Sequence, residues 1–275
     1  MKMIHDAGHG MYTSGKRAPD DSMREHEFNS KVVEYTIDEM EKQYTGVEHY
    51  IAHDITGYRD VPLKERTDLA NKLGVDVYIS YHANAFGGDW NNASGTETYV
   101  YTSRPTESVK LAEMVQRNLI ADLGTKNRGV KAANFAVLRE SRMPAILIEF
   151  EFMTNREALI LLQSDNFRRK CARSVARSLG VFYNLKKRAT VAAKPSDTGR
   201  YRLMTGTFPD AETFSDAIEK FEEKFSWLGY EKADSTGFNP TYRIVTGTFT
   251  GRESAERAAQ QLREAFGWVV YVKEA

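Results

Sequence analysis

Val77-Tyr78-Ile79-Ser80-Tyr81-His82-Ala83-Asn84 is a mostly apolar run that reaches a histidine and then passes into a small, polar loop. Its length and its β-branched and aromatic content predict a buried strand over 75–82. Outward from it, 2–5, 47–53, 96–102 and 145–150 read as further short strands by the same criteria. Helical patterns lie between them. Val33, Ile37, Met40 and Tyr44 form one apolar stripe, as do Leu111, Val115, Leu119 and Leu123. Segment 62–73 opens on a helix-compatible proline and stops before Gly74. This alternation predicts an α/β fold: a mostly parallel sheet covered by helices on both faces, with ligands beyond the carboxyl ends of its strands.

The chain has 275 residues, with 38 basic against 38 acidic side chains and a formal net charge of zero, so bulk attraction to nucleic acid is not expected. With 41% apolar and 28% charged residues the composition is that of a folded protein rather than a disordered or fibrous one. No apolar run approaches the roughly 20 residues that cross a bilayer, and the start, MKMIHDAGHG, lacks the core of a secretory signal. The expectation is a protein made in the cytoplasm without a signal peptide, not inserted in a membrane, and acting elsewhere only after something else releases it. The single cysteine, Cys171, excludes an intrachain disulfide framework and a multi-cysteine zinc knuckle, so a metal would fall to histidines and carboxylates. Cys171 is expected to pack on the last helix.

Four segments supply such groups. Asp6-Ala7-Gly8-His9-Gly10 follows the first predicted strand, and its two glycines allow a tight turn that projects the imidazole from the sheet edge. His82 ends the strand quoted above. Glu25-His26-Glu27-Phe28-Asn29 opens the helix bearing Val33, where acidic residues suit the macrodipole in any case. In Ile146-Leu147-Ile148-Glu149-Phe150-Glu151-Phe152 carboxylates interrupt an apolar strand, a placement that calls for a partner or a metal. Two imidazoles and one carboxylate with an open fourth position form a known catalytic zinc arrangement, and a further carboxylate serves as base. Spacing separates neither Glu149 from Glu151, which strand alternation puts on one face, nor Glu25 from Glu27.

From residue 4 to about 183 the chain resembles the zinc-dependent N-acetylmuramoyl-L-alanine amidases of the type 3 family, which cut the bond between muramic acid and the stem peptide of bacterial peptidoglycan. The resemblance rests on Asp6-Ala7-Gly8-His9-Gly10, Glu25 with Asn29, Leu63-Lys64-Glu65-Arg66 leading to Ala70-Asn71, and Ser80-Tyr81-His82-Ala83-Asn84. It continues through Arg128-Gly129-Val130-Lys131, Phe135-Ala136-Val137-Leu138-Arg139 and Met143-Pro144-Ala145-Ile146-Leu147-Ile148-Glu149. It implies His9, Glu25 and His82 as ligands of Zn2+, Glu149 as the catalytic carboxylate, and His26 as a neighbour. Arg139 or backbone N–H groups would add charge on the oxyanion side. Met11 and Glu151 stand where the family often has glycine.

The family domain is assigned to 1–185. A solvated, turn-forming linker is expected at 186–199. Beyond it, Tyr201-Arg202-Leu203-Met204-Thr205-Gly206-Thr207-Phe208 returns as Tyr242-Arg243-Ile244-Val245-Thr246-Gly247-Thr248-Phe249, each copy followed by an amphipathic helix and a tryptophan. Two such β-α-β units predict one four-stranded, ferredoxin-like α+β domain over 200–275. It resembles the sporulation-related (SPOR) peptidoglycan-binding domains, which implies glycan binding on the open sheet face, with Tyr201, Arg202, Tyr242 and Arg243 as candidate residues. The whole reads as a wall hydrolase, a phage endolysin released by a holin-type partner. The competing readings are a mother-cell lysis autolysin of a spore former, an inactive wall-binding protein and a zinc carboxypeptidase.

Overall fold

Residues 1–188, 197–233 and 241–275 are described in a computed structural model of the chain, and they fall into two units with separate cores, Met1–Ala189 and Thr190–Ala275. The expected linker at 186–199 falls largely on 189–196, outside the described residues. In the first unit the order is β1 (Lys2–Ala7), α1 (Glu25–Gln43), β2 (Glu48–Ile51), α2 (Leu63–Leu73), β3 (Val77–Asn84), β4 (Thr96–Tyr101), α3 (Thr106–Leu123), β5 (Asn127–Ala133), α4 (Ala136–Arg139), β6 (Ala145–Phe152), α5 (Arg156–Gln163) and α6 (Asp165–Phe182). The strands join as β2-β1-β3-β6-β4-β5, parallel except where β6 meets β4.

Side-chain alternation places the chemistry. Met3, Ile79, Tyr81, Ile146 and Ile148 point into the larger core, where the buried stripes of α1, α3 and α6 cover them. Each aliphatic side chain buried there contributes roughly 1.5–3 kcal/mol. The opposite face starts apolar at Ile4, Tyr78 and Leu147, packed with Ala70 of α2 and Val137 of α4. Two residues on, that same face turns polar at Asp6, Ser80 and Glu149, then at His82. The period-2 rule thus gathers the polar groups at the carboxyl ends of β1, β3 and β6.

Some boundaries differ from expectation. β3 does not end at His82 but runs on to Asn84, and a register shift between the pairs His82↔Glu149 and Asn84↔Phe152 gives β6 one extra residue. β5 was not expected, because an edge strand reading Asn127-Arg128-Gly129-Val130-Lys131-Ala132-Ala133 carries no apolar alternation. α5 was not expected either: the sequence reads a last helix around 171–183, which α6 covers as far as Phe182, and Ser164 ends α5 and immediately starts α6. Cys171 is buried in the larger core.

The second unit comprises β7 (Arg200–Thr205), α7 (Ala211–Lys224), β8 (Gly229–Ala233), β9 (Tyr242–Thr246), β10 (Phe249–Thr250), α8 (Arg252–Phe266) and β11 (Val270–Glu274). Its strands pair antiparallel as β11-β7-β9-β8, with β10 against the start of β7. The repeated Thr-Gly-Thr-Phe has a visible cause. Leu203 N–H donates to Thr246 Oγ1 and Ile244 N–H to Thr205 Oγ1, both at 3.0 Å, a reciprocal pair that closes the two halves. Two of the four candidate glycan residues are misplaced by the sequence reading. Tyr201 is buried in the helix-side core and Tyr242 packs on Phe214 at 5.4 Å, because adjacent strand residues face opposite ways; Arg202 and Arg243 take the other face.

Candidate metal centre and active-site cleft

Three distant segments meet at the polar end of the sheet. β1 is followed by Gly8-His9, and His9 adopts the left-handed backbone (φ 63°), which turns the chain at the sheet edge. Gly8 makes room for the second imidazole: a Cβ there would lie 2.1 Å from the His82 ring. Glu25 occupies the first turn of α1, where the dipole favours a carboxylate, and it is almost fully buried. His9 Nε2 stands 3.5 Å from Glu25 Oε2, His82 Nδ1 lies 2.9 Å from Glu25 Oε1, and one ligand atom from each of the three residues falls within 4.8 Å of the others. Zinc bonds of about 2.0–2.2 Å place tetrahedral donors roughly 3.3–3.6 Å apart, so this set closes on an ion with small movements.

Glu149 faces the same cleft of about 530 Å³, whose walls include His9, Lys16, Val61, Leu63, Phe135 and His82. Its Oε2 is buried without a hydrogen-bond partner among the described residues. Such an orphaned acceptor costs about 1–3 kcal/mol and marks a place kept for something else.

The charges are arranged unevenly. Burial pushes Glu149 up to about 8; His82 and Lys16 oppose this, and the carboxylates of Glu25 and Glu97 reinforce it. Burial lowers His9 to about 4, against the pull of Glu25, so its ring is neutral and able to ligate at neutral pH. Burial alone would depress His82, but its bond to Glu25 and the nearby Glu149 and Asp6 carboxylates outweigh that and raise it. Glu25 is held below its usual range because His82 and His9 outweigh its burial.

Each close rival is occupied elsewhere. Sequence spacing put Glu149 and Glu151 on one face, but the extra residue in β6 separates them: Glu151 accepts from the N–H groups of Gly95 (2.8 Å) and Phe152 (3.2 Å), away from the cleft. Glu27 accepts from Arg24 N–H at 2.6 Å and closes the start of α1. His26 sits behind the turn, against Gly8 O at 3.3 Å and the ring of His53. Arg139 bonds Asn134 and Glu140 and is not among the cleft walls.

Residues that the sequence offered only as landmarks, with no role attached, hold the centre in shape. Buried Arg66 of α2 donates to Asp6, to the carbonyls of Ala7 (2.8 Å), Val61 (2.8 Å) and His9 (3.3 Å), and to Asp60 (3.0 Å). Asp6 also accepts from Ser80 Oγ at 2.9 Å, and Asn29 donates to Gly8 O at 3.1 Å. The signal was present in part, as an arginine amid the landmark Leu63-Lys64-Glu65-Arg66, but nothing in the linear order pairs it with Asp6.

The chain is similar to known proteins in sequence and in fold. The chain is 30% identical over 208 residues to a sporulation-specific N-acetylmuramoyl-L-alanine amidase of Bacillus subtilis, covering 76% of this chain and 75% of that protein. It is 30% identical over 241 residues to the endolysin of Bacillus phage SPP1, covering 83% and 80%, a span longer than the first unit alone. The crystal structure of an N-acetylmuramoyl-L-alanine amidase from Clostridium difficile superposes with a TM-score of 0.62 at 28% identity, over 66% of this chain and 96% of that one. With residues 4–180 matching its family model, this chain belongs to the N-acetylmuramoyl-L-alanine amidases.

Proposed function

We propose that the protein is a zinc-dependent N-acetylmuramoyl-L-alanine amidase that cuts the muramoyl–alanine bond of bacterial peptidoglycan as a phage endolysin. The observation that carries this reading is the convergence of His9, Glu25 and His82 beside the unpartnered oxygen of Glu149. His9 Nε2, a Glu25 oxygen and a ring nitrogen of His82 would hold the ion. Zinc, when bound, supplies Lewis-acid chemistry that polarises a carbonyl and makes water nucleophilic near pH 7. Glu149 takes the proton from the attacking water on Oε2 and returns it to the departing alanine nitrogen. Val61, Leu63 and Phe135 form an apolar wall that strengthens these interactions by excluding water.

Metal analysis and one substitution test the centre. Purified protein is expected to carry about one zinc per chain. His82→Ala should lose both the zinc and turnover of purified walls, with circular dichroism unchanged, and zinc should restore chelated wild type but not the variant. Release of muramoyl and alanine ends by His82→Ala at the wild-type rate would remove the zinc assignment. Mass spectrometry of the products separates the amidase from a carboxypeptidase by the bond cut.

The second unit acts as a SPOR-like wall-binding domain that raises local concentration on the polymer, with Arg202 and Arg243 on its open face. A chain ending at residue 188 should keep kcat on soluble fragments within about twofold yet fail to sediment with sacculi, since avidity adds no chemistry. Equal sedimentation of both chains would end the targeting role. The match to the phage endolysin supports that deployment, and the match to the sporulation-specific amidase, which also extends over more residues than the first unit holds, supports a mother-cell autolysin as the second reading. Cells expressing the protein should lyse only once their membrane is permeabilised, as by a holin-type partner.

A further inference from the structure

The two loops that carry the cleft residues His9 and Asp60 also carry an aromatic feature that no step above uses. Tyr12 and Tyr58 are 70% and 74% exposed and stack on each other, with ring centroids 5.9 Å apart and planes 27° apart. Two large rings held in water are unfavourable unless something covers them.

The backbone beneath them is tied down from both sides. Tyr12 lies three residues beyond His9, in the loop after β1, where Gly10 N–H donates to Thr13 Oγ1 (2.9 Å) and that hydroxyl donates to Asp60 (2.7 Å). Met11 N–H donates to Gly57 O at 2.8 Å, joining this loop to the one after β2. There Asp54 accepts from Thr56 N–H (3.1 Å), Thr56 Oγ1 (2.6 Å) and Arg59 N–H (2.9 Å). Gly57 takes φ +73°, and a Cβ on it would press on Met11 at 2.8 Å. His9 and Asp60, on the same two loops, line the cleft itself, so the loops that carry the tyrosine pair also supply walls of the cleft.

We propose that Tyr12 and Tyr58 form a saccharide subsite that takes the glycan strand of the substrate. The inference rests on the amidase reading. In that substrate the amide hangs from a sugar through a short lactyl arm, so the sugar bearing it sits at the cleft mouth and its neighbours cross a rim. Pyranose rings offer apolar C–H faces to an aromatic ring and hydroxyls to a phenol, both of which tyrosine supplies. With only two side-chain torsions and a pre-tied backbone, each tyrosine loses little freedom on binding.

The test uses the full chain on soluble muramoyl-peptides whose glycan holds two, four or eight sugars. Wild-type KM should fall as the glycan lengthens. Tyr12→Ala/Tyr58→Ala should raise KM about tenfold on the longer substrates and less than about threefold on the shortest, with kcat moving less than about twofold. Tyr12→Phe/Tyr58→Phe should keep most of the affinity, because the ring faces remain. The second unit is present throughout, so its contribution cancels, and an unchanged Tm shows that the exposed positions are folded. A KM ratio that is the same at every glycan length, or a loss confined to kcat, overturns the subsite. If wild type cuts none of the three substrates at the muramoyl–alanine bond, the amidase reading itself has failed.

Discussion

Glu149→Gln should lower kcat on purified peptidoglycan by about 10²–10⁴ while zinc content and KM stay near wild type. On the proposed mechanism, the substitution keeps the shape and removes the carboxylate that would hold a proton between water and leaving nitrogen. The carboxylate is buried with one oxygen unpartnered among the described residues, so that oxygen is not committed to a structural bond. Glu151→Gln is the matching control: its carboxylate is bound to Gly95 and Phe152, and its loss should leave kcat within about tenfold. A Glu149→Gln enzyme within tenfold of wild type would move the base elsewhere.

The same substitution has a stability signature. Glu149 is raised to about 8 in the folded chain, against an unfolded value near 4.5, chiefly by burial. A carboxyl whose folded pKa is raised stabilises the fold below the unfolded pKa and loses that contribution as pH rises through the folded one. Chelated wild type should therefore lose Tm between about pH 4.5 and 8 relative to Glu149→Gln. Equal Tm–pH curves for the two chelated proteins would mean that the carboxyl is not held in an unfavourable environment.

Arg66→Ala is expected to cost about 3–5 kcal/mol, a Tm drop on the order of 10 °C for the first unit. The guanidinium is almost inaccessible and bonds Asp6, Asp60 and the carbonyls of Ala7, Val61 and His9. Deleting it leaves the Asp6 carboxylate charged and buried, which is costlier than losing the pair as a whole. Arg66→Met/Asp6→Asn should for that reason recover part of the loss; a double variant no more stable than Arg66→Ala would show that the pairing is not the cause. Acid works in the same direction. Burial alone would raise Asp6, but Arg66 and His82 outweigh it and lower its pKa, so the stability it contributes is complete above the unfolded value near 3.8 and is lost as pH falls below that. Activity should fall with the fold, because Arg66 also fixes the His9 carbonyl.

Much of this was legible in linear order. The strand–helix alternation in the first unit, the duplicated Tyr-Arg-x-x-Thr-Gly-Thr-Phe in the second and the histidines at strand ends are local patterns, and local patterns survive in one dimension. What escaped was of another kind. β5 has no alternation to detect because it lies at a sheet edge, and α5, at eight residues, is too short to show a long apolar period. Tyr201 and Tyr242 were grouped with Arg202 and Arg243 by composition, although neighbours along a strand cannot share a face.

The amino-acid order alone determined which residue types stand at each strand end and helix start, because backbone propensity and side-chain period are properties of neighbouring residues. Only the folded chain turned Glu149 to the cleft and Glu151 away from it, set Glu25 rather than Glu27 beside the two histidines, paired Arg66 with Asp6, and set Tyr12 against Tyr58. A one-residue bulge, a buried ion pair and two touching loops each depend on groups that meet through space, and separation along the chain carries no record of such meetings.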